Sequence, residues 1–138
     1  MSALQKPPID IEKLAKANLG DPLSWSPLVG GRTNTGWIAR TKTRAYAIKI
    51  YDASCATPLF PNDATAEWRC LRHLRTTDFA PNAVAYWNRE GGRVVVYEYV
   101  EGEILARSNC QVSQTLTRLH ATTPPNGIRI INSAAPNI

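Results

Sequence analysis

Nothing in this chain approaches the roughly 18 consecutive apolar residues that a membrane-spanning helix needs. Met1 to Pro8 hold no apolar core of a secretory signal, so a cytosolic protein without a membrane partner is expected. Cysteine is scarce and oddly placed. Cys55, Cys70 and Cys110 fit neither a disulfide framework nor a zinc pattern, and they suit a reducing compartment. Basic runs interleaved with aromatics are missing, which argues against a nucleic-acid partner. The two histidines, His73 and His120, have no nucleophile neighbour that would suggest a hydrolase. Acidic residues also run out: the last aspartate is Asp78, and no Asp or Glu follows Glu103.

What remains is an ordinary globular composition. The 138 residues suit one domain with one modest core, and 43% hydrophobic with 20% charged residues argues against disorder. A formal charge of +5, from 16 basic and 11 acidic residues, fits an anionic ligand such as a nucleotide phosphate. It fits an incidental surface imbalance equally well.

Pro7 and Pro8 open a short helical pattern with Ile11, Leu14 and Ala15 on one face and Gly20 as its stop. Strand-like runs follow at 28–30, 36–41 and 45–51, with short connections that imply an antiparallel meander. Asp63 is a candidate N-cap for a helix from Ala64 to about Arg75, on which Glu67, Leu71 and Leu74 share a face. Two more strands, 83–87 and 93–99, flank a turn at Gly91-Gly92. Val112, Leu116 and Leu119 mark a last helix, which Pro124-Pro125 ends. The expected fold is α+β: a five-stranded antiparallel sheet with one packed helix plus a terminal helix. Residues 1–25 read as an N-terminal helical segment, 26–103 as the sheet domain, and 104–138 as a helix leading into something further.

Four features carry candidate chemistry. The turn Gly30-Gly31-Arg32-Thr33-Asn34-Thr35-Gly36 can bring backbone N–H groups, with help from Thr33 and Asn34, against phosphate oxygens. It is equally an ordinary glycine-rich hairpin. Lys49 interrupts the apolar run Tyr46-Ala47-Ile48-Lys49-Ile50-Tyr51, sharing a face with Ala47 and Tyr51. It either snorkels to solvent or reaches a buried anion. Glu67 lies in the apolar stripe of its helix, where a carboxylate needs a cation; Lys49 is one candidate, and a network with Arg69, Arg72 and Arg75 is the other. Val94 to Tyr99 reads as a core strand whose exit, Glu98 to Gly102, frees backbone groups that could meet a flat heterocycle.

In combination these features resemble the N-terminal lobe of the protein-kinase fold, where a glycine turn, a strand lysine, a helix glutamate and a hinge follow in this order. Tyr46-Ala47-Ile48-Lys49 resembles the V-A-I-K strand, and Tyr97-Glu98-Tyr99-Val100 resembles the hinge. Gly30-Gly31-Arg32-Thr33-Asn34, Phe79-Ala80-Pro81, Glu98-Tyr99-Val100-Glu101-Gly102 and Leu116-Thr117-Arg118-Leu119-His120 are similar to the choline kinase, thiamine kinase and aminoglycoside phosphotransferase family.

The resemblance implies ATP as the nucleotide. Lys49 would contact its α and β phosphates and pair with Glu67, and Gly31, Thr33 and Asn34 would lie over the phosphates. Backbone groups of Glu98 and Val100 would bond adenine, with Ala47 and Ile38 on its faces and Tyr97 behind. Mg²⁺ and the acceptor hydroxyl of a small alcohol would need carboxylates of a C-terminal lobe, which the acid-free stretch after Glu103 does not supply. The expectation is a lobe cut off before its catalytic partner and inactive alone, with exposed apolar surface inviting self-association or a partner chain. A non-catalytic nucleotide-binding or interaction module, and an unrelated α+β binding domain, are the alternatives. An exposed Lys49 far from Glu67 would favour the unrelated domain.

Overall fold

The structure, a computed structural model, describes residues 6–30, 33–103, 105–107 and 109–128. Its elements run α1 (Ile9–Leu19), β1 (Ser24–Pro27), β2 (Thr35–Arg40), β3 (Ala45–Ile50), α2 (Ala64–His73), β4 (Ala83–Trp87), β5 (Val94–Glu98) and α3 (Cys110–His120), with a short 3₁₀ turn at Ala53–Cys55. The strands form one antiparallel sheet in the order β1-β2-β3-β5-β4. The α+β class and the five-stranded sheet are as the sequence predicts.

Two details differ. The first strand is Ser24–Pro27 rather than 28–30, because pairing with β2 sets Ser24 opposite Arg40 and Pro27 opposite Trp37. Pro27 is tolerated there because β1 is an edge strand. Leu28 closes the ladder by donating its N–H to the Gly36 carbonyl at 2.9 Å, and Val29 then leaves the sheet almost fully exposed. Apolarity alone pointed to the wrong residues; hairpin register decides.

The second difference is α1. The expected fold has one helix packed on the sheet, yet α1 packs there too: Ile11 and Ala15 are fully buried against Trp37, Ala39, Tyr46, Ile48, Ile50, Val94 and Val96 on one face of the sheet. The opposite face packs Val95 and Tyr51 against Ala64 and Leu71 of α2, with Trp68, Tyr86 and Tyr97 partly buried around them. The sheet is thus covered on both faces. Strand alternation explains the division, since neighbouring residues point to opposite sides.

Local chemistry fixes the ends. Asp63 caps α2 by accepting the N–H groups of Thr65 and Ala66 at 2.9 and 3.1 Å. The turn before β5 requires glycine at Gly92, where φ is +114° and an added Cβ would lie 2.4 Å from the Tyr51 carbonyl oxygen. Asn109 caps α3 through the Val112 N–H, yet α3 buries no residue. It is tethered instead. Arg118 pairs with Asp78 at 3.1 Å and covers the Phe79 ring, while His73 Nε2–H donates to the Thr123 carbonyl at 2.6 Å.

Candidate functional site

The pairing of β2, β3 and β5 sets Gly36 opposite Lys49, Lys49 opposite Val95, and Ala47 opposite both Ile38 and Tyr97. These residues share the face turned toward α2. A cavity of about 650 Å³ opens on that face, walled by Gly30, Thr33 and Asn34 of the β1–β2 turn and by Asn62 and Asp63 at the entry to α2. Lys49, Glu67 and Tyr97 also line it.

Lys49 Nζ lies 2.9 Å from Glu67 Oε2, and each side chain is about three-tenths exposed. The ammonium also sits over the Tyr51 ring, 4.9 Å from its centroid. Lysine therefore neither snorkels freely nor lies far from Glu67, which removes the observation that would have favoured an unrelated domain. A pair exposed to this extent keeps donors on Lys49 available to a second anion, since the ammonium has three. Arg69, Arg72 and Arg75 do not take Glu67; Arg72 lies over Trp68 instead. Burial pushes the Tyr97 phenol above its usual range, with the Glu67 charge adding and the Lys49 charge opposing. Cys70 is pushed up by burial and by the same carboxylate.

The hinge is arranged differently from the rest. Glu98 points its carboxylate at Arg44 (3.3 Å) and Asn82 (3.0 Å), and its N–H donates to the Asn82 carbonyl. Tyr99 N–H still pairs with Ala45, 2.9 Å away, and Arg40 stacks on the Tyr99 ring while bridging Glu101 at 2.7 Å. Val100 is 67% exposed, and its N–H has no hydrogen-bond partner among the described residues. Ala47 and Ile38 are buried beneath the cavity rather than lining it. Glu98 and Val100 are likewise outside its lining. Gly31 falls outside the described residues.

Several wall residues carry no sequence signal as chemistry. Phe60 and Pro61 line the cavity from the segment before α2, and Tyr51 lies at its floor with a buried hydroxyl that has no hydrogen-bond partner among the described residues. Asn62 has φ +51°, a left-handed backbone that asparagine adopts more readily than most residues. Its position before the Asp63 cap was the only hint available. Asn34 is engaged rather than free: its amide pairs with that of Asn62 in both directions at 2.8 Å.

The model of the phosphotransferase enzyme family matches residues 24–129, and the chain belongs to that family. Among solved structures, spectinomycin phosphotransferase APH(9)-Ia in complex with ADP and spectinomycin superposes with a TM-score of 0.61 at 15% identity, over 84% of this chain and 38% of that one. A thermostable mutant of aminoglycoside phosphotransferase APH(4)-Ia, in ternary complex with AMP-PNP and hygromycin B, gives 0.50 at 13% identity, over 69% of this chain and 30% of that one. At such identities the likeness is one of fold. This chain spans less than two-fifths of the first of these proteins. No curated protein matches the sequence.

Proposed function

We propose that this chain is the nucleotide-holding lobe of an ATP-dependent phosphotransferase that acts on a hydroxyl of a small molecule, an aminoglycoside or an alcohol such as choline, ethanolamine or thiamine. The carrying observation is the Lys49–Glu67 pair at 2.9 Å on the floor of a cavity roofed by the glycine turn. Lys49 supplies the charge for a phosphate, and Glu67 holds the ammonium in place. Thr33 and Asn34 frame the same cavity, and Gly31 belongs to the same turn by sequence. Val100 N–H and the Glu98 backbone are assigned to the adenine edge, over a bed that includes Ala47.

In this reading residues 26–103, completed by α1, bind nucleotide, and 104–138 lead toward a second lobe. Phosphoryl transfer also needs Mg²⁺ held against the phosphates and a residue that orients the hydroxyl. Among the described residues no group of three His, Cys, Asp or Glu could hold a metal, and the carboxylates of Asp63 and Glu67 already serve the helix cap and Lys49. This reading assigns both catalytic tasks to a second lobe. The exposed Val100, Leu105 and Leu116 mark apolar surface for a second lobe, another copy or a partner chain.

Titration of the purified chain with a fluorescent ATP analogue tests the reading. Saturable binding displaced by unlabelled ATP is expected, with no transfer to any small alcohol. Failure to saturate refutes the nucleotide site; turnover above background refutes the division of labour between lobes.

A further inference from the structure

The wall of the cavity opposite the sheet is built around two asparagines 28 residues apart. Asn34 Nδ2 donates to Asn62 Oδ1 and Asn62 Nδ2 donates to Asn34 Oδ1, both at 2.8 Å and both partly buried. Asn62 Nδ2 also donates to the Asp52 carbonyl at 2.8 Å, and the Asp52 N–H donates to Asn34 Oδ1 at 3.3 Å. These two outer bonds fix the orientation of both amides, because a carbonyl can only accept and a backbone N–H can only donate. Four hydrogen bonds thus join three pieces of chain: the β1–β2 turn, Asp52 just after β3, and the segment that enters α2.

The clasp has an immediate neighbour with a job of its own. Asp63 follows Asn62 and caps α2, and one turn later α2 carries Glu67, which grips Lys49 at 2.9 Å. Asn62 itself sits in a left-handed conformation, φ +51°, which asparagine adopts more readily than most residues and in which its amide meets that of Asn34.

We propose that Asn34 and Asn62 are positioning residues: their reciprocal amide bond fastens the phosphate-facing turn to the entry of α2, so that the turn and the Lys49–Glu67 pair are held at one spacing. The proposal rests on the reading of the cavity as a nucleotide site. It assigns Asn34 a task different from direct phosphate contact, since the amide is already engaged by Asn62 and Asp52. It also makes a selective prediction. A loosened turn weakens binding of the phosphates and leaves the nucleoside untouched.

The test uses the full chain with Asn34→Ala, Asn62→Gly and the double variant. Glycine keeps the left-handed backbone without strain, so Asn62→Gly removes the side chain while sparing the fold and the Asp63 cap. Backbone ¹⁵N order parameters at Thr33 and Thr35 are read without any ligand. They are expected to fall from about 0.85 to below about 0.6 in each single variant, with Ile48 and Val95 unchanged. Titrations with ATP and with adenosine form the second arm: ATP should weaken about tenfold, a loss of about 1.4 kcal/mol, while adenosine shifts less than about twofold. The double variant should lose less than the sum of the two singles, because each single already breaks the reciprocal amide pair that both share. Unchanged order parameters in both single variants overturn the clasp. Equal losses for ATP and adenosine overturn its role as a phosphate-positioning device. A wild-type chain that binds no ATP overturns the nucleotide reading, and the order parameters then still decide the clasp.

Discussion

Replacing Ile11 by alanine tests whether α1 is structural to the sheet. Ile11 is fully buried, and its neighbours include the fully buried Ile48, Val94 and Val96. The substitution removes three carbons from that contact, about 2.4 kcal/mol at ~0.8 kcal/mol per buried group. A cavity that cannot collapse adds to this, which puts the loss at about 2–5 kcal/mol. Against a total stability of about 5–15 kcal/mol, that is a large fraction. Each kcal/mol moves the melting temperature of a domain this size by roughly 3–5 °C, so a drop near 10 °C or more is expected. Circular dichroism melts of the variant beside Ile9→Ala supply the assay, since Ile9 is 70% exposed and should shift by less than about 0.5 kcal/mol. Equal, small shifts in the two variants would refute the packing of α1 on the sheet.

Other consequences are smaller. Asp63→Ala removes the α2 cap and should cost about 1 kcal/mol in urea melts, with an intact α2 and unchanged stability counting against the cap. Tyr51→Phe deletes a buried hydroxyl without a partner among the described residues while keeping the ring beneath Lys49, so stability should hold or rise; a loss above ~1 kcal/mol would reveal a hidden partner. The Arg89 guanidinium, 2.6 Å away, holds the Asp10 carboxyl below its ordinary range. A lowered carboxylate contributes stability that is present above its unfolded value near ~3.9 and is lost as pH falls through the lower folded one. Asp10 is half exposed, so Asp10→Asn should cost only about 0.2–1 kcal/mol at pH 7. Melting curves of variant and wild type should converge in acid; a gap that persists below the folded value would contradict the pairing.

The parts legible in the sequence were those set by local or periodic chemistry. Asp63 announces a cap, Gly91-Gly92 a turn, and alternation through Tyr46–Tyr51 puts Lys49 on the face that α2 covers. Glu67 in an apolar stripe demands a cation, and the order of motifs makes Lys49 the candidate that the geometry upholds. The first strand was misplaced because Leu28 and Val29 are apolar, whereas register and the hydrogen bond from Leu28 to Gly36 make them the start of the turn. The burial of α1 was missed because Ile11, Leu14 and Ala15 say only that a face is apolar, not which surface receives it. Asn62 was invisible for a related reason. Its partner lies 28 residues away, and no local pattern marks a tertiary amide pair.

The central claim is that Lys49, held by Glu67, gives the cavity its affinity for nucleotide phosphate. Thermal melts of the wild type and of Lys49→Ala, each with and without ATP, test it most directly. At tenfold excess over the dissociation constant, ATP should stabilise the wild type by about 1.4 kcal/mol, several degrees, and most of that shift should vanish in the variant. A shift of equal size in Lys49→Ala would detach the lysine from the site and contradict the account.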